Sequence, residues 1–258
     1  MPEDFYTLAE TYTLPSGGLI YGKNINPEVK IRSMTTVEEM RRLSHTDTPY
    51  KTLCDIIDAC IVNDIGISSY DMHLGDYQFL LHRLRVVTYG SNYPSSSMCP
   101  ICGTVNKVTL DLDKLKLKTL DEDGAQEYLK LFDLELPRTK KKLKLKFTTP
   151  RDLDEVEKEE KEYMAENPEE KLNMDYLFSL MHLIKTVDGK VPNPILLRDF
   201  LKKLPLMDTN AILQREIKIN NEVGIDTTIE NKCSNSKCGA KYKTSFRITS
   251  EFFGPTEY

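Results

Sequence analysis

The amino-acid sequence predicts an α+β fold for this chain of 258 residues. Apolar residues recur at helical spacing in the segment 34–90 and again beyond residue 150, whereas polar and apolar residues alternate after each of two cysteine pairs. About 130 residues separate the two pairs, so a folded segment has to be inserted between them. These observations predict an N-terminal arm and helical unit, a small β-unit around the cysteines, and an inserted hairpin with helices.

The composition limits the classes of protein that the chain can belong to. It is 40% hydrophobic and 29% charged, which is typical of a globular protein with a sizeable core. The sequence has no apolar run of about 18 residues and no apolar leader, so we expect a cytosolic protein without membrane contact and with reduced thiols. The net charge of -5 argues against a general nucleic-acid binder, because phosphate binding requires clustered cations.

The first third of the chain is predicted to contain an arm followed by helices. Residues 1–33 predict an extended N-terminal arm with one or two short strands, because glycines separate its apolar and aromatic fragments. Residues 34–94 predict a unit of three helices. The first helix begins with a capping box of Thr35 and Glu38, and Asp76 is the expected N-cap of the third.

Two of the six cysteines belong to the second of these helices. Cys60 lies in the apolar stripe of the helix, where a free cysteine acts as a small buried hydrophobe. Six residues at about 3.6 residues per turn place Cys54 about 120° away from Cys60. We therefore do not expect these two thiols to bind the same metal ion.

The other four cysteines are Cys99 and Cys102 in "CPICG", and Cys233 and Cys238 in "CSNSKCG". Glycine follows the second cysteine of each pair, which suits a tight turn around thiolates, and a strand-like stretch comes next, as in a zinc ribbon. A redox pair requires only one Cys-x-x-Cys with a helix after it, and chance packing is a third interpretation. We predict a structural Zn²⁺ site with four thiolate ligands and no position for water.

The predicted zinc ribbon is split along the chain. Its halves comprise residues 95–118 and 225–250, and the segment 119–224 is inserted between them. The insertion is predicted to contain a β-hairpin around Pro137-Arg138, a highly charged helix, a strongly apolar helix, and two helices separated at Leu204-Pro205. Zinc would hold the two ends of this insertion together.

The sequence contains no recognisable residue set for catalysis. The histidines lie on separate predicted elements without metal-ligand spacing, and each is expected at a partly exposed surface or helix position: His45, His73, His82 and His182. Phosphate-binding glycine motifs and a nucleophile elbow are absent. The acidic run "DLDEVEKEEKE" predicts a solvated helix face. We expect neither enzymatic activity nor a small-molecule substrate.

The stretch "HLGDYQFLLHRLRVVTYGSNYPSSSMCPICGTVNKVTLDL" combines a Gly-Asp-Tyr-x-Phe-Leu-Leu helix with a cysteine knuckle and a strand. In this order it resembles the baseplate hub assembly proteins of T-even-type contractile-tailed bacteriophages. The start "LPSGGLIYGKNINPEVKIRSMTTVEE", the second knuckle and the final "EFFGP" are similar to the same family. The resemblance covers residues 33–112 best and 205–255 well, and the wider spacing of the second cysteine pair departs from it.

The resemblance implies a non-enzymatic virion or assembly protein of the tail baseplate, assembled in the host cytoplasm with other tail proteins as partners. Contact surfaces are expected at the N-terminal arm and in the tail 251–258, where Phe252 and Phe253 either contact a partner or cover the chain's own core. The alternative function is a cytosolic zinc-ribbon accessory factor that binds nucleic acid, which requires a basic face around the ribbon.

Overall fold

The computed structural model describes residues 9–245 and 250–253 and confirms the α+β class. The helices are α1 (Thr36–Arg42), α2 (Pro49–Cys60), α3 (Leu74–Tyr89), α4 (Glu122–Lys130), α5 (Pro150–Glu166), α6 (Met174–Leu183), α7 (Pro194–Lys202) and α8 (Leu206–Asn221). The strands are β1 (Ala9–Thr13), β2 (Glu28–Arg32), β3 (Asn92–Met98), β4 (Val105–Asp111), β5 (Lys116–Lys118), β6 (Asp133–Glu135), β7 (Lys142–Leu145), β8 (Ile184–Val187), β9 (Gly224–Asp226), β10 (Thr228–Lys232) and β11 (Lys241–Ser245). Among the helices of these ranges, none has the length and apolar character that a membrane crossing requires.

The strands form small antiparallel sheets and not one large sheet. Their order is β1-β2, β3-β4, β5-β9, β10-β11 and the three-stranded β6-β7-β8. Two hydrophobic cores stabilise the molecule, one under the N-terminal helices and one inside the insertion. The β3-β4 and β10-β11 hairpins join the first core through Leu110, with Tyr93, Val108 and Ile229 packed against it, whereas their cysteine ends lie apart from both cores.

The described part of the N-terminal arm packs mainly on its own helical unit, while Ile20 belongs to the core of the insertion. In β2, Val29 and Ile31 point into the core with α2 and α3, and Leu14 and Ile25 of the segment between the strands are buried beside them. The two short strands and the three helices expected in this region are confirmed. Most apolar side chains of the arm from residue 9 onward are therefore used within the chain, whereas Leu19 is exposed, and a partner surface on the arm stays a prediction.

The start of α1 follows the prediction. The Glu38 carboxylate accepts a hydrogen bond from the backbone N–H of Thr35 at 2.7 Å, and Thr35 Oγ1 accepts from the N–H of Val37 at 3.3 Å. This is the expected capping box. The guanidinium of Arg32 also binds Glu38, at 2.8 Å, so a charged residue anchors this helix to the body.

The prediction that Asp76 caps α3 is wrong. The cap is His73, whose Nδ1 accepts from the backbone N–H of Gly75 at 2.9 Å. Asp76 lies inside the first turn, is fully buried, and accepts from the N–H of Ser16 at 3.0 Å and from the hydroxyl of Tyr21 at 2.6 Å. Aspartate is favourable both at an N-cap and in the first turn, and the arm decides between the two positions here.

The glycine of the Gly-Asp-Tyr motif permits a close approach of two backbones. A Cβ atom on Gly75 would lie 2.1 Å from the carbonyl oxygen of Val223, which no packing adjustment of a side chain relieves. Gly224, with φ +112°, faces the same glycine from the start of β9. The start of α3 therefore contacts the point where the chain returns from the insertion to the cysteine hairpins.

The insertion contains the predicted hairpin and helices, and it differs from the prediction in two places. The hairpin around Pro137-Arg138 is β6-β7, the charged helix is α5, and α7 and α8 are separated at Leu204-Pro205, all as expected. Helix α4 precedes the hairpin and is not predicted, because polar and apolar residues alternate in "EYLKLFDL" as in a strand. The apolar helix α6 ends at Leu183, because the β-branched residues of "IKTV" continue as β8 and pair with β7.

One buried carboxylate joins the insertion to the helical unit. Asp154 of α5 accepts from the backbone N–H groups of Tyr50 at 3.2 Å and Lys51 at 2.7 Å, in the first turn of α2. The hydroxyl of Tyr70 lies 3.1 Å from the same carboxylate. The side chain of Thr48, the N-cap residue of α2, makes no capping hydrogen bond. A residue of a distant helix therefore completes the start of α2.

The aromatic tail covers the chain's own core, which confirms the second of the two interpretations. Phe252 and Phe253 are buried among the N-terminal helices. The guanidinium Nε of Arg85 donates to the carbonyl oxygen of Phe252 at 2.9 Å, and the His82 ring lies 5.3 Å from the Phe252 ring. The remainder of the predicted tail, beyond residue 253, lies outside the described residues.

Candidate metal centre

The first cysteine pair lies in the turn that joins β3 to β4. The backbone N–H of Cys99 donates to the carbonyl oxygen of Thr104, and the N–H of Gly103 donates to that of Cys99, both at 2.9 Å. Gly103 has φ +72°, a left-handed conformation that glycine adopts without a steric penalty. These bonds close a tight turn that carries Cys99 and Cys102.

The second pair lies in the corresponding turn between β10 and β11. The N–H of Cys233 donates to the carbonyl oxygen of Ala240 at 2.8 Å, and the N–H groups of Cys238 and Gly239 both donate to that of Asn235 at 2.9 Å. Gly239 again has a positive φ, of +57°. The additional residues between these cysteines are accommodated in this turn, so the wider spacing still brings both thiols to the end of the hairpin.

Polar side chains hold the two hairpins together. Ser97 Oγ and Tyr242 Oη lie 2.8 Å apart, and Asn106 Nδ2 donates to the same Tyr242 oxygen at 2.9 Å. Asn231 Nδ2 donates to Ser97 Oγ at 3.1 Å, and Asn106 Oδ1 accepts from the N–H of Ser234 at 2.7 Å. Among the described residues, the hydrophobic cluster at this point consists of Tyr242 and the cysteines alone.

The four sulfur atoms of the two pairs form one cluster, within 4.8 Å of one another. Cys99 Sγ lies 3.9 Å from Cys238 Sγ, and Cys102 Sγ lies 3.5 Å from Cys233 Sγ. A tetrahedral site with Zn–S bonds of about 2.3 Å has S···S edges of about 3.8 Å. The spacing and the donor type therefore fit a tetrahedral, thiophilic ion that joins the two hairpins.

The environments of the thiols differ within this cluster. Cys102 is exposed, and the hydroxyl of Thr104, 3.2 Å from its sulfur, together with the Thr104 backbone lowers the pKa of Cys102 to about 6. Burial raises the pKa of Cys233 above its usual value. The Cys102 thiol therefore ionises more readily than the Cys233 thiol, and a bound cation would favour the thiolate form of both.

The two remaining cysteines are remote from this centre. Cys54 and Cys60 are fully buried in the N-terminal core, as expected for Cys60. Burial raises the pKa of Cys54 to about 12 and that of Cys60 to about 11. Both therefore stay protonated at neutral pH and act as core residues.

A second group of potential ligands lies between α5 and α6. Oxygen atoms of Asp152 and Glu155 and a ring nitrogen of His182 lie within 4.8 Å of one another. His182 Nδ1 is 3.3 Å from Asp152, and its Nε2 is 3.2 Å from Glu159. Asp152 already binds the ammonium group of Lys146 at 2.6 Å, and the hydrogen bond that His182 donates to Asp152 raises the pKa of His182. We interpret this group as an ion-pair cluster between two helices.

This ion-pair cluster is not predicted from the sequence. The acidic run of α5 is expected to form a solvated helix face, whereas Asp152 is buried. The available signal is the spacing of Asp152, Glu155 and Glu159, which places three carboxylates on one side of a helix. The sequence does not show that His182 of α6 lies against that side, because this depends on how the two helices pack.

Two of the histidines lie at the start of a helix or within it, as expected, but they are buried and not partly exposed. His73 caps α3 and His82 lies within the same helix, and both are buried. Burial lowers the pKa of His73 and, together with the positive charges of Arg83 and Arg85, lowers the pKa of His82 to about 3. Both residues are consequently neutral parts of the interior at physiological pH.

Comparison with known proteins places this arrangement in a family. A search of curated proteins and a search of solved structures each give no match. The family model described as T4 bacteriophage base plate protein matches residues 8–254. That range includes residues 8–33 of the arm, both cysteine hairpins and the whole insertion. The chain therefore belongs to the T4 bacteriophage base plate protein family.

Proposed function

We propose that the protein is a non-enzymatic structural or assembly component of the phage tail baseplate, at its hub, where it contacts other tail proteins. The observation that carries this proposal is the family match over residues 8–254. In this proposal the protein joins the baseplate during tail assembly in the host cytoplasm.

The clustered cysteines are proposed to bind one structural zinc ion. The ligands would be the thiolates of Cys99, Cys102, Cys233 and Cys238. Four thiolates complete a tetrahedron and leave no position for water, so the ion would stabilise the fold and not activate a substrate. The β3-β4 and β10-β11 hairpins would then be the halves of a split zinc ribbon that holds the ends of the insertion together.

One observation favours the alternative function, nucleic-acid binding. The two hairpins expose five lysines: Lys107, Lys232, Lys237, Lys241 and Lys243. However, the chain carries a net charge of -5, and Tyr242 of the second hairpin points inward, where it cannot stack on a base. The baseplate function therefore has the stronger support.

The test is to fractionate extracts of infected cells and to determine the metal content of the purified protein. We expect the protein to sediment with baseplates or their assembly intermediates, and to contain about one zinc ion per chain under reducing conditions. Co-sedimentation with nucleic acid and without tail proteins would overturn the baseplate function. A content below about half a zinc ion per chain would overturn the zinc site alone.

A matched pair of variants separates the metal site from general damage to the fold. Cys233→Ser removes one ligand of the cluster and should abolish zinc binding. Cys60→Ala changes a buried cysteine outside the cluster and should keep the metal. Equal zinc contents in the two variants would contradict the proposed ligand set.

A further inference from the structure

His182, in the last turn of α6, has both of its ring nitrogens against carboxylates of α5. Nδ1 lies 3.3 Å from an oxygen of Asp152, and Nε2 lies 3.2 Å from an oxygen of Glu159. Glu155 adds a third carboxylate, with an oxygen 3.9 Å from Nδ1. These acidic residues follow one another at three- and four-residue spacing, so they lie on one side of α5. The imidazole of α6 is therefore placed against a row of carboxylates.

This geometry determines the protonation state that fits the site. A neutral imidazole has one N–H donor and one acceptor nitrogen, whereas an ionised carboxylate only accepts. If one ring nitrogen carried no proton, its lone pair would face a carboxylate oxygen, and that contact would be repulsive. Both contacts are hydrogen bonds only when both nitrogens are protonated, so the arrangement fits the imidazolium form. The hydrogen bond to Asp152 accordingly raises the pKa of His182 above its usual value.

The neighbouring β7 and α8 segments leave an excess of negative charge around the imidazole. Directly after β7, the ammonium group of Lys146 binds Asp152 at 2.6 Å. From α8, Glu216 lines the same cavity of about 50 Å³ as His182, and burial raises the pKa of this carboxyl. One ammonium group does not balance the three carboxylates of α5. A protonated His182 reduces this imbalance, whereas a neutral one does not.

The two other elements packed on α6 do not correct the imbalance. On α7, the cations of Arg198 and Lys202 lie over the ring of Tyr163, at 5.5 Å and 5.9 Å from its centroid. On β8, Lys185 is exposed to solvent, where its charge is screened. Among the described residues, neither element therefore supplies a buried cation that could take the place of the imidazolium.

The cluster joins three elements of the insertion. The backbone N–H of Lys146 donates to the carbonyl oxygen of Leu183 at the end of α6, at 2.9 Å, while its side chain binds Asp152. Asp152 also completes the capping box of α5, where it accepts from the N–H of Thr149 at 2.9 Å. A change in the charge of His182 therefore acts on the start of α5, on the end of α6 and on β8, which follows directly.

We propose that His182 forms a pH-dependent lock between α5 and α6, which is closed while both ring nitrogens are protonated and is released when one proton is lost. In the unfolded chain the three carboxylates do not surround the ring, and the pKa of histidine is about 6.5. The folded protein holds the proton more tightly, so the stabilisation is fully present below about pH 6.5 and is lost as the pH rises through the higher pKa of the folded state. The lock belongs to the fold of the insertion and does not depend on the baseplate function.

Nitrogen NMR of the intact chain with isotope-labelled histidine tests the protonation state directly, because protonated and unprotonated ring nitrogens differ widely in chemical shift. The variant His182→Gln identifies the signals of His182. We expect both of its nitrogens to be protonated at about pH 6, and the midpoint for loss of one proton to lie at a higher pH than in the same chain unfolded in urea. A midpoint equal to that of the unfolded chain, or below it, would overturn the proposal.

A change on α5 tests the contacts while His182 stays in place. Glu159→Gln replaces the carboxylate at Nε2 by a neutral amide, so the midpoint of His182 should move to lower pH, towards that of the unfolded chain. Glu166→Gln removes an exposed carboxylate further along α5 and should move the midpoint much less. Equal midpoints in the two variants would show that the contact with Glu159 does not hold the proton.

Amide hydrogen exchange measures whether the lock stabilises the helices. From about pH 6 to about pH 8.5, we expect protection in the last turn of α6 and in β8 to fall by about fivefold, after correction for the intrinsic effect of pH on exchange. Helix α3 is the internal control, because the pKa of its His82 is about 3, far below this range. Unchanged protection in α6 and β8 would overturn the lock.

Two histidine variants complete this measurement. His182→Gln has no proton to lose, so its protection should not depend on pH in this range, even if it is lower throughout. His45→Gln changes an exposed histidine and should keep the pH dependence of the unchanged protein. A fall in protection that persists in His182→Gln would assign the pH dependence to another group and overturn the proposal.

Metal analysis distinguishes the lock from a second metal site. An ion held by His182, Asp152 and Glu155 would occupy the positions of the protons. We expect the metal content of His182→Gln to equal that of the unchanged protein. A second metal ion per chain that this variant lacks would overturn the proposal.

Discussion

At the scale of single residues, buried aspartates connect segments that are far apart in the sequence. Asp76 binds the N-terminal arm, Asp154 binds the start of α2, and Asp208 accepts from the backbone N–H groups of Arg138 and Thr139 in the β6-β7 turn. All three are buried, and a buried carboxylate is stable only when donors surround it. Each carboxylate therefore specifies one packing of two elements.

Replacing Asp154 should destabilise the fold more than replacing an exposed acidic residue. Asp154→Ala leaves two N–H groups of α2 and the Tyr70 hydroxyl without their acceptor, so we expect a loss of about 2–4 kcal/mol in the free energy of unfolding. Asp154→Asn keeps one acceptor oxygen and should lose less. The measurement is urea denaturation, with Glu169→Ala, at an exposed position, as the control. Equal losses for Asp154→Ala and Glu169→Ala would show that the cap is unimportant.

His82 should make stability depend on pH. Its pKa is about 6.5 in an unfolded chain and about 3 in the folded protein, where burial excludes the charged form. Between these values the unfolded chain binds more protons, so the free energy of unfolding falls as the pH decreases from about 6.5 towards about 3. The slope due to this residue approaches about 1.4 kcal/mol per pH unit.

The measurement is the free energy of unfolding between about pH 6 and about pH 5, above the range in which most carboxylates titrate. His82→Gln cannot titrate, so its slope should be smaller than that of the unchanged protein even if the variant is less stable at every pH. His45→Gln, at an exposed histidine, should keep the original slope. An unchanged slope in His82→Gln would contradict the assignment of a buried neutral imidazole.

At the scale of elements, the cysteine hairpins differ from the rest of the fold in what stabilises them. The helices and the three-stranded sheet bury apolar residues in two large cores. The two hairpins join the first core through Leu110, but their cysteine ends share a polar network and a small cluster of Tyr242 with Cys99, Cys233 and Cys238. At this end, where few apolar side chains are buried, the proposed metal ion would supply additional stability.

Removing the metal should therefore loosen the hairpins before the helical cores. With a strong zinc chelator at neutral pH, we expect amide hydrogen exchange in β3-β4 and β10-β11 to accelerate, while α2 and α3 keep their protection. The helices serve as the internal control, because their core does not include the cluster. Uniform acceleration across the chain would mean that the ion stabilises the whole molecule, and no change would mean that the hairpins do not need it.

At the scale of the whole molecule, the chain leaves the N-terminal unit through one cysteine hairpin and returns through the other. The contact of Gly75 with Val223 and Gly224 fixes the return point against α3, next to the hairpins. Asp154 joins α5 to α2 from the side of the insertion. The insertion is thus attached to the N-terminal unit at several points, of which the cysteine cluster is one.

Much of this architecture is predictable because its signals are local. The capping box of α1, the hairpin at Pro137-Arg138 and the break at Leu204-Pro205 each depend on residues within a few positions of one another. The role of Asp76 and the strand that follows α6 are not predictable in this way. Both depend on contacts with segments many residues away, namely the arm and β7.

The candidate site likewise has features that local sequence predicts and features that depend on distant contacts. The residue types of two cysteine pairs, each followed by glycine and a strand, determine by themselves that a four-thiolate centre is possible, because thiolates and tight turns are properties of short segments. Only the tertiary structure decided that the four sulfur atoms meet, that the arm and the aromatic tail are buried, and that Met98, Ile101 and Val105 remain exposed. Which surface is left for a partner depends on which apolar residues the fold has already covered, and that is decided by packing and not by sequence pattern.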